Sequence, residues 1–275
     1  MKNRIALLLA LLTIFLTAAV PFAAGAEEEA GLGRIVFVDV TDAEDEIPDE
    51  IPDTEPFVPE ETEKMIFGSD NRVRVINTKK YPFSAIASMY VMGYCGHFWT
   101  GSGFMVAGDR MLTAAHCLIC PSCSQWAKTI TFYFGYKSPT NYLYRYTGSW
   151  TGYVGTTFRN HRYTIMNDYG VVKFNAAVGS KTGWFGAKWN SSNKTLNNKT
   201  DYVAGYHNGI LKYGKGKVFV YDAAHLKYSI DTQKGTSGGP VYNSSRYALG
   251  INIAESSVTN LAHRLTKAVY RLYLH

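Results

Sequence analysis

From about residue 81 to the C-terminal end, apolar residues fall in short runs. Thr129-Ile130-Thr131-Phe132-Tyr133-Phe134 and Lys217-Val218-Phe219-Val220-Tyr221 are β-branched and aromatic, the side chains that suit a pleated, half-buried surface. Glycines punctuate the chain roughly every eight to twelve residues, a rhythm of short strands and turns that predicts an all-β barrel or sandwich. One helix is predicted, and it is terminal. Leu261, Leu265, Ala268, Val269 and Leu272 recur at helical spacing after Thr259 or Asn260, either of which can cap it.

The N-terminal part breaks this pattern. Lys2 and Arg4 precede an apolar run from Ile5 to Val20, and Ala24-Gly25-Ala26 fits a small-x-small cleavage site. Residues 1–26 therefore read as a secretory signal peptide, and the protein is expected to be secreted and extracellular. No later stretch approaches the ~18 apolar residues that a membrane span requires. Glu27 to Glu63 is acidic and holds Pro48, Pro52, Pro56 and Pro59, a composition too polar to build a core alone. Residues 27–64 read as an acidic propeptide.

Charge sharpens that division. Residues 1–64 carry 15 acids and four bases, whereas residues 65–275 carry 24 bases and seven acids, which together give the net +6. A basic domain of this kind is expected to attract its own acidic propeptide and anionic cell-surface polymers. No helix-turn-helix, zinc-finger or RNA-binding signature accompanies the charge, so no specific nucleic acid is expected as a partner.

Three segments carry candidate chemistry. In Gly235-Thr236-Ser237-Gly238-Gly239-Pro240 a serine sits in a glycine-rich turn, where it can be exposed with backbone N–H groups free for an oxyanion. Leu112-Thr113-Ala114-Ala115-His116-Cys117 supplies a histidine that can take its proton. Asn167-Asp168-Tyr169-Gly170-Val171-Val172-Lys173-Phe174 puts an acid at the head of an apolar strand, suited to fixing the imidazole tautomer.

Cysteines leave more open. Cys95, Cys117, Cys120 and Cys123 allow three full pairings, and disulfides are the default in an exported chain. His116-Cys117-x-x-Cys120-x-x-Cys123 also has the spacing of a metal or iron–sulfur ligand run. The signal peptide and the use of His116 as a base favour disulfides, and no metal or cofactor is expected.

The order His116, Asp168, Ser237 and its motifs resemble the chymotrypsin-like (trypsin-like) serine proteases, whose order differs from those of the subtilisins and α/β-hydrolases. Gly68-Ser69-Asp70-Asn71-Arg72-Val73-Arg74-Val75 with Tyr81-Pro82-Phe83 is similar to the mature start of the bacterial glutamyl endopeptidases. Tyr228-Ser229-Ile230-Asp231-Thr232 is similar to their pocket strand, and Asn260 to Thr266 to their closing helix. The resemblance implies two antiparallel β-barrels packed face to face with a C-terminal α-helix. The first would span residues 65–178 and hold His116 and Asp168; the second, residues 179–275, would hold Ser237.

The same resemblance implies protein or peptide substrates, an oxyanion hole from the N–H groups of Gly235 and Ser237, and a monomer. It implies a disulfide between Cys95 and Cys117, with Cys120 and Cys123 left for a local bridge. Thr236 departs from the digestive trypsins, where an aspartate before the serine pairs with the new N-terminus. For the substrate pocket it implies Asp231, Thr232 and Asn252, with Asn252 standing where the branch has a histidine. Two specificities stay open: Glu, through the donors Thr232 and Asn252, or Lys and Arg, through Asp231. Glu255 adds negative charge where the cleft is usually lined by glycine. The alternative of another class is an inactive module of the same fold that binds anionic surfaces.

Overall fold

A computed structural model describes residues 33–38, 66, 69–160, 167–187, 189, 192–255 and 259–273. The expected signal peptide and the propeptide junction at residues 64 and 65 lie outside the described residues.

Two eight-stranded sheets organise the chain. From edge to edge the first runs Gly33–Val38, Trp150–Gly155, Gly170–Phe174, Arg110–Thr113, Phe98–Met105, Ile86–Gly93, Ala127–Phe134 and Tyr144–Tyr146. The second runs Gly186–Ala187, Tyr247–Glu255, Pro240–Tyr242, Lys199–His207, Ile210–Val220, His225–Tyr228 and Asn260–Arg264, with Val73–Arg74 paired onto Ile210–Val220. A further pairing of Tyr247–Glu255 with Asn260–Arg264 closes six of these strands into a ring. Neighbours are antiparallel except where Gly33–Val38 meets Trp150–Gly155 and Gly186–Ala187 meets Tyr247–Glu255. The architecture is the expected all-β pair of barrel-like sheets with a C-terminal helix.

Aromatic residues on alternate strand positions fill the first core. Phe132 meets Phe174 edge-on at 5.0 Å, Tyr146 meets Phe174 at 4.9 Å, and Phe132 meets Trp150 at 6.2 Å between ring centroids. Each such pair adds about 0.5–1.5 kcal/mol beyond the burial of its area. Val203, Val218, Leu226, Tyr228, Val241 and Ala262 form a smaller core in the second sheet. Fully buried Phe185 stands between the sheets, against Phe104 of the first and Tyr242 of the second.

Two expectations are corrected and one is extended. The acidic segment, too polar to build a core alone, lends a strand to one: its apolar run, Gly33–Val38, carries Ile35 and Val38 packed on the first core. Six in-register residues are enough to outweigh a polar setting when an open strand edge receives them. Val73–Arg74, within the span expected for the first barrel, pairs instead in the second sheet. The terminal helix is also shorter than expected: Asn260–Arg264 is a strand, and only Lys267–Tyr273 is helical. All five residues of that strand are buried, Asn260, His263 and Arg264 included, so neither the alternation of a half-buried strand nor an apolar run marks it, and Leu261 and Leu265 keep a helical spacing. The helix buries Ala268, Val269 and Leu272, and Tyr273 lies under the Arg110 guanidinium of the first sheet at 5.5 Å.

Candidate active site

His116 lies in a single 3-10 turn, Ala115–Cys117, directly after the strand Arg110–Thr113. Asp168 sits just before the neighbouring strand Gly170–Phe174, so one strand pairing brings the two together. The carboxylate uses both oxygens on the same residue. His116 Nδ1 lies 2.6 Å from Asp168 Oδ2, and the His116 backbone N–H donates to Oδ1 at 2.9 Å. That double grip fixes the ring and assigns the proton to Nδ1, leaving Nε2 as the basic atom. Burial lowers the imidazole's affinity for a proton, but the Asp168 charge and hydrogen bond outweigh it, with a contribution from Cys117. The net effect holds His116 well above the ordinary histidine pKa.

The nucleophile loop is set by backbone. Gly235 (φ +94°) and Gly238 (φ +84°) take left-handed conformations that glycine adopts freely. A Cβ on Gly238 would stand 2.0 Å from the Ser102 carbonyl oxygen. Thr236 N–H donates to Gln233 O at 2.8 Å, Gly238 N–H to Asn252 O at 2.7 Å and Gly239 N–H to Thr236 O at 2.9 Å. Among the described residues the N–H groups of Gly235 and Ser237 have no such acceptor, and these are the two expected to face an oxyanion. Thr236 accepts from the Gln233 N–H through Oγ1 at 3.2 Å, so a neutral local bond stands where the digestive trypsins use an ion pair. Ser237 Oγ makes no hydrogen bond to His116 among the described residues. Catalytic bonds of this kind commonly tighten only around substrate.

Ser102 was not legible as a site residue. From the first sheet, its N–H donates to Ser237 O at 2.7 Å and its hydroxyl donates to Gly235 O at 2.8 Å. Its Oγ also accepts from the Tyr206 N–H at 2.9 Å, while Thr113 Oγ1 donates to its carbonyl at 2.7 Å. A Gly-Ser-Gly run inside an apolar strand was the signal available.

Three expected pocket residues are buried together in the second barrel. Asp231 is 1% exposed and accepts the Asn71 N–H at 3.1 Å through Oδ2. Thr232 Oγ1 and Asn252 Nδ2 are both buried without a hydrogen-bond partner. The Tyr228 hydroxyl donates to Asn252 Oδ1 at 2.5 Å, which turns the amide so that its NH2 is the unpaired end. Arg72, also missed, has a side chain only 3% exposed. It pairs with Asp70 at 2.9 Å and donates to Gln233 Oε1, while Lys212 reaches Asp70 at 2.8 Å. These cations, Arg72 first, hold the Asp70 carboxyl far below its ordinary pKa. The Glu255 side chain lies outside the described residues.

The cysteines do not sit as the resemblance implied. Cys117 Sγ is 3.5 Å from Ser237 O, and facing it is glycine: a Cβ on Gly101 would lie 2.7 Å from that sulfur. Cys95 stands instead beside Cys120, Sγ to Sγ 3.5 Å, with Cys123 alongside. All four are free thiols, so the Cys95–Cys117 bridge gives way to a three-cysteine cluster.

Known proteins resemble this chain. The family described as the trypsin-like peptidase domain matches residues 101–251. A glutamyl endopeptidase of Bacillus licheniformis is 29% identical over 187 residues, 66% of this chain and 56% of that protein. An extracellular metalloprotease of Bacillus subtilis is 26% identical over 221 residues, 74% of this chain and 67% of that protein. The chain thus spans little more than half the length of the first of these relatives. A solved structure of a Glu endopeptidase in complex with MPD matches with a TM-score of 0.66 over 76% of this chain and 97% of that one; at 22% identity this speaks for the fold. The family match takes in more than half of the chain and includes His116, Asp168 and Ser237, and the protein belongs to the trypsin-like peptidase family.

Proposed function

We propose that this protein is an endopeptidase that cleaves by acyl transfer. Ser237 Oγ attacks the substrate carbonyl as His116 Nε2 takes its proton, and the N–H groups of Gly235 and Ser237 hold the oxyanion. His116 then returns the proton to the leaving amine. Water repeats the sequence on the acyl-enzyme and regenerates Ser237. The observation that carries this reading is the two-point grip of Asp168 on His116, ring and backbone together.

For specificity we favour Glu on the acyl side of the scissile bond. Thr232 Oγ1 and Asn252 Nδ2 are two buried donors without acceptors, and leaving such groups unpaired costs about 1–3 kcal/mol each unless a ligand satisfies them. A carboxylate does so. The Lys or Arg reading needs Asp231 as a counter-ion facing the pocket, yet that carboxylate already accepts from the Asn71 backbone. The name of the Bacillus licheniformis relative points the same way. Export and removal of the acidic leader belong to the same proposal.

An active-site phosphonate separates this reading from an inactive binding module. It should label wild type and leave Ser237→Ala unmodified, with a peptide library cleaved after Glu. Equal labelling of the two proteins would overturn the nucleophile assignment; cleavage after Lys or Arg, lost in Asp231→Ser, would overturn the specificity.

A further inference from the structure

The cysteine cluster sits where two segments meet. Cys95 closes the turn between the strands Ile86–Gly93 and Phe98–Met105, while Cys120 and Cys123 belong to the loop that follows His116. Their three sulfurs all lie within 4.8 Å of one another. With Cys117 turned toward Gly101 and Ser237, an odd number remains, and any disulfide among them strands one thiol. A single ion uses all three. A tetrahedral zinc ion with Zn–S bonds of about 2.3 Å holds its sulfurs about 3.8 Å apart, close to the 3.5 Å between Cys95 and Cys120.

Two backbone N–H groups approach the cluster. The N–H of His97, two residues after Cys95, faces the Cys95 sulfur, and the N–H of Gln125, two residues after Cys123, faces the Cys123 sulfur. Left-handed turns at Gly96 (φ +77°) and Ser124 (φ +58°) make those approaches possible. Cys120 is fully buried, its N–H donating to Gln125 O at 2.6 Å and its carbonyl accepting from Ser124 N–H at 2.9 Å. Outer hydrogen bonds to ligand atoms orient a metal site and tune it.

We propose that Cys95, Cys120 and Cys123 bind one soft divalent cation of the zinc type, with the fourth position open to water. Binding releases the three thiol protons to solvent. It staples the strand turn to the loop behind His116, so the ion is structural and lies outside the acyl-transfer chemistry. This inference does not rest on the proposed activity.

The test uses the full chain carrying Ser237→Ala, purified reduced and without oxygen, and titrated with Co²⁺. One equivalent should bind with sulfur-to-cobalt charge-transfer bands and the visible bands of a tetrahedral site, and Zn²⁺ should displace it. Cys95→Ser, Cys120→Ser and Cys123→Ser should each lose the bands, and Cys117→Ser should keep them. Alkylation followed by peptide mapping needs no cysteine variant: Zn²⁺ should slow the alkylation of Cys95, Cys120 and Cys123 and leave the rate at buried Cys117 unchanged. Absence of the charge-transfer bands, Zn²⁺-dependent protection that includes Cys117, or a disulfide joining two of the three in protein isolated without reductant would overturn the site.

Discussion

The histidine side of the cleft and the serine side are built on opposite principles. On the first, the orienting bonds are already made: Asp168 gives both oxygens to His116. On the second, the N–H groups of Gly235 and Ser237 and the side-chain donors of Thr232 and Asn252 wait without partners. The difference separates two tasks. A base must be held in one tautomer before substrate arrives, whereas an oxyanion hole and a pocket work by keeping donors free for groups that substrate brings.

The sharpest way to break this comparison is Ser237→Ala, which should lower kcat by roughly 10⁶-fold with an unchanged melting temperature, measured by peptide hydrolysis and calorimetry. Substantial residual hydrolysis would place the nucleophile elsewhere. Asp168→Asn tests the satisfied side and should cost roughly 10⁴-fold. It should also move the acid limb of the pH–rate profile downward. On the proposed mechanism neutral His116 is the active form, and Asp168 raises its pKa, so wild-type activity should appear only above the ordinary histidine range.

Smaller effects probe the waiting side. Asn252→Asp keeps an acceptor for Tyr228 and replaces the free NH2 with negative charge; kcat/KM for Glu substrates should fall by ~10–100-fold while Gln substrates are spared. Thr232→Val should weaken Glu cleavage by about tenfold without loss of stability, because it removes an unsatisfied buried hydroxyl. Equal losses for Glu and Gln substrates in both variants would mean that these donors do not read charge.

The smallest effect is a control. Asp201 Oδ2 also lacks a hydrogen bond, but it lies on Lys199–His207 toward the end away from Tyr206, whose N–H meets Ser102. Burial raises its pKa to about 6, against the pull of Lys199 and Lys217. A raised carboxyl pKa makes the folded state relatively stable below the unfolded value of 3.8, with that contribution lost as pH rises through about 6. Asp201→Asn should therefore stabilise by at most about 2 kcal/mol above that pH and by nothing in acid, with activity unchanged. An activity loss would show that unpaired polar atoms in the second barrel are not reserved for substrate.

The segments around His116, Asp168 and Ser237 stood out in the sequence because each is a local motif, and the structure brings Asp168 onto His116. Thr129–Phe134 and Lys217–Val220 were readable for a similar reason, as β-branched and aromatic runs that the strands Ala127–Phe134 and Ile210–Val220 contain. What escaped depends on contacts distant in sequence. Gly33–Val38 is a strand only because Trp150–Gly155 offers an edge, and Asn260–Arg264 only because it closes a ring. The cysteine pairing failed on one residue, Gly101, which stands where Cys117 faces.

Ser102 makes the geometry of catalysis a reporter of how the two barrels dock. Its four bonds tie Thr113 of the first sheet to Gly235, Ser237 and Tyr206 of the second. Sliding one barrel against the other by even an ångström would pull on the carbonyls of Gly235 and Ser237 and so disturb the neighbouring peptides, which bear the Gly235 and Ser237 N–H groups. On the proposed mechanism turnover should therefore be coupled to the alignment of the two halves, and agents that loosen their interface should act as inhibitors without occupying the substrate pocket.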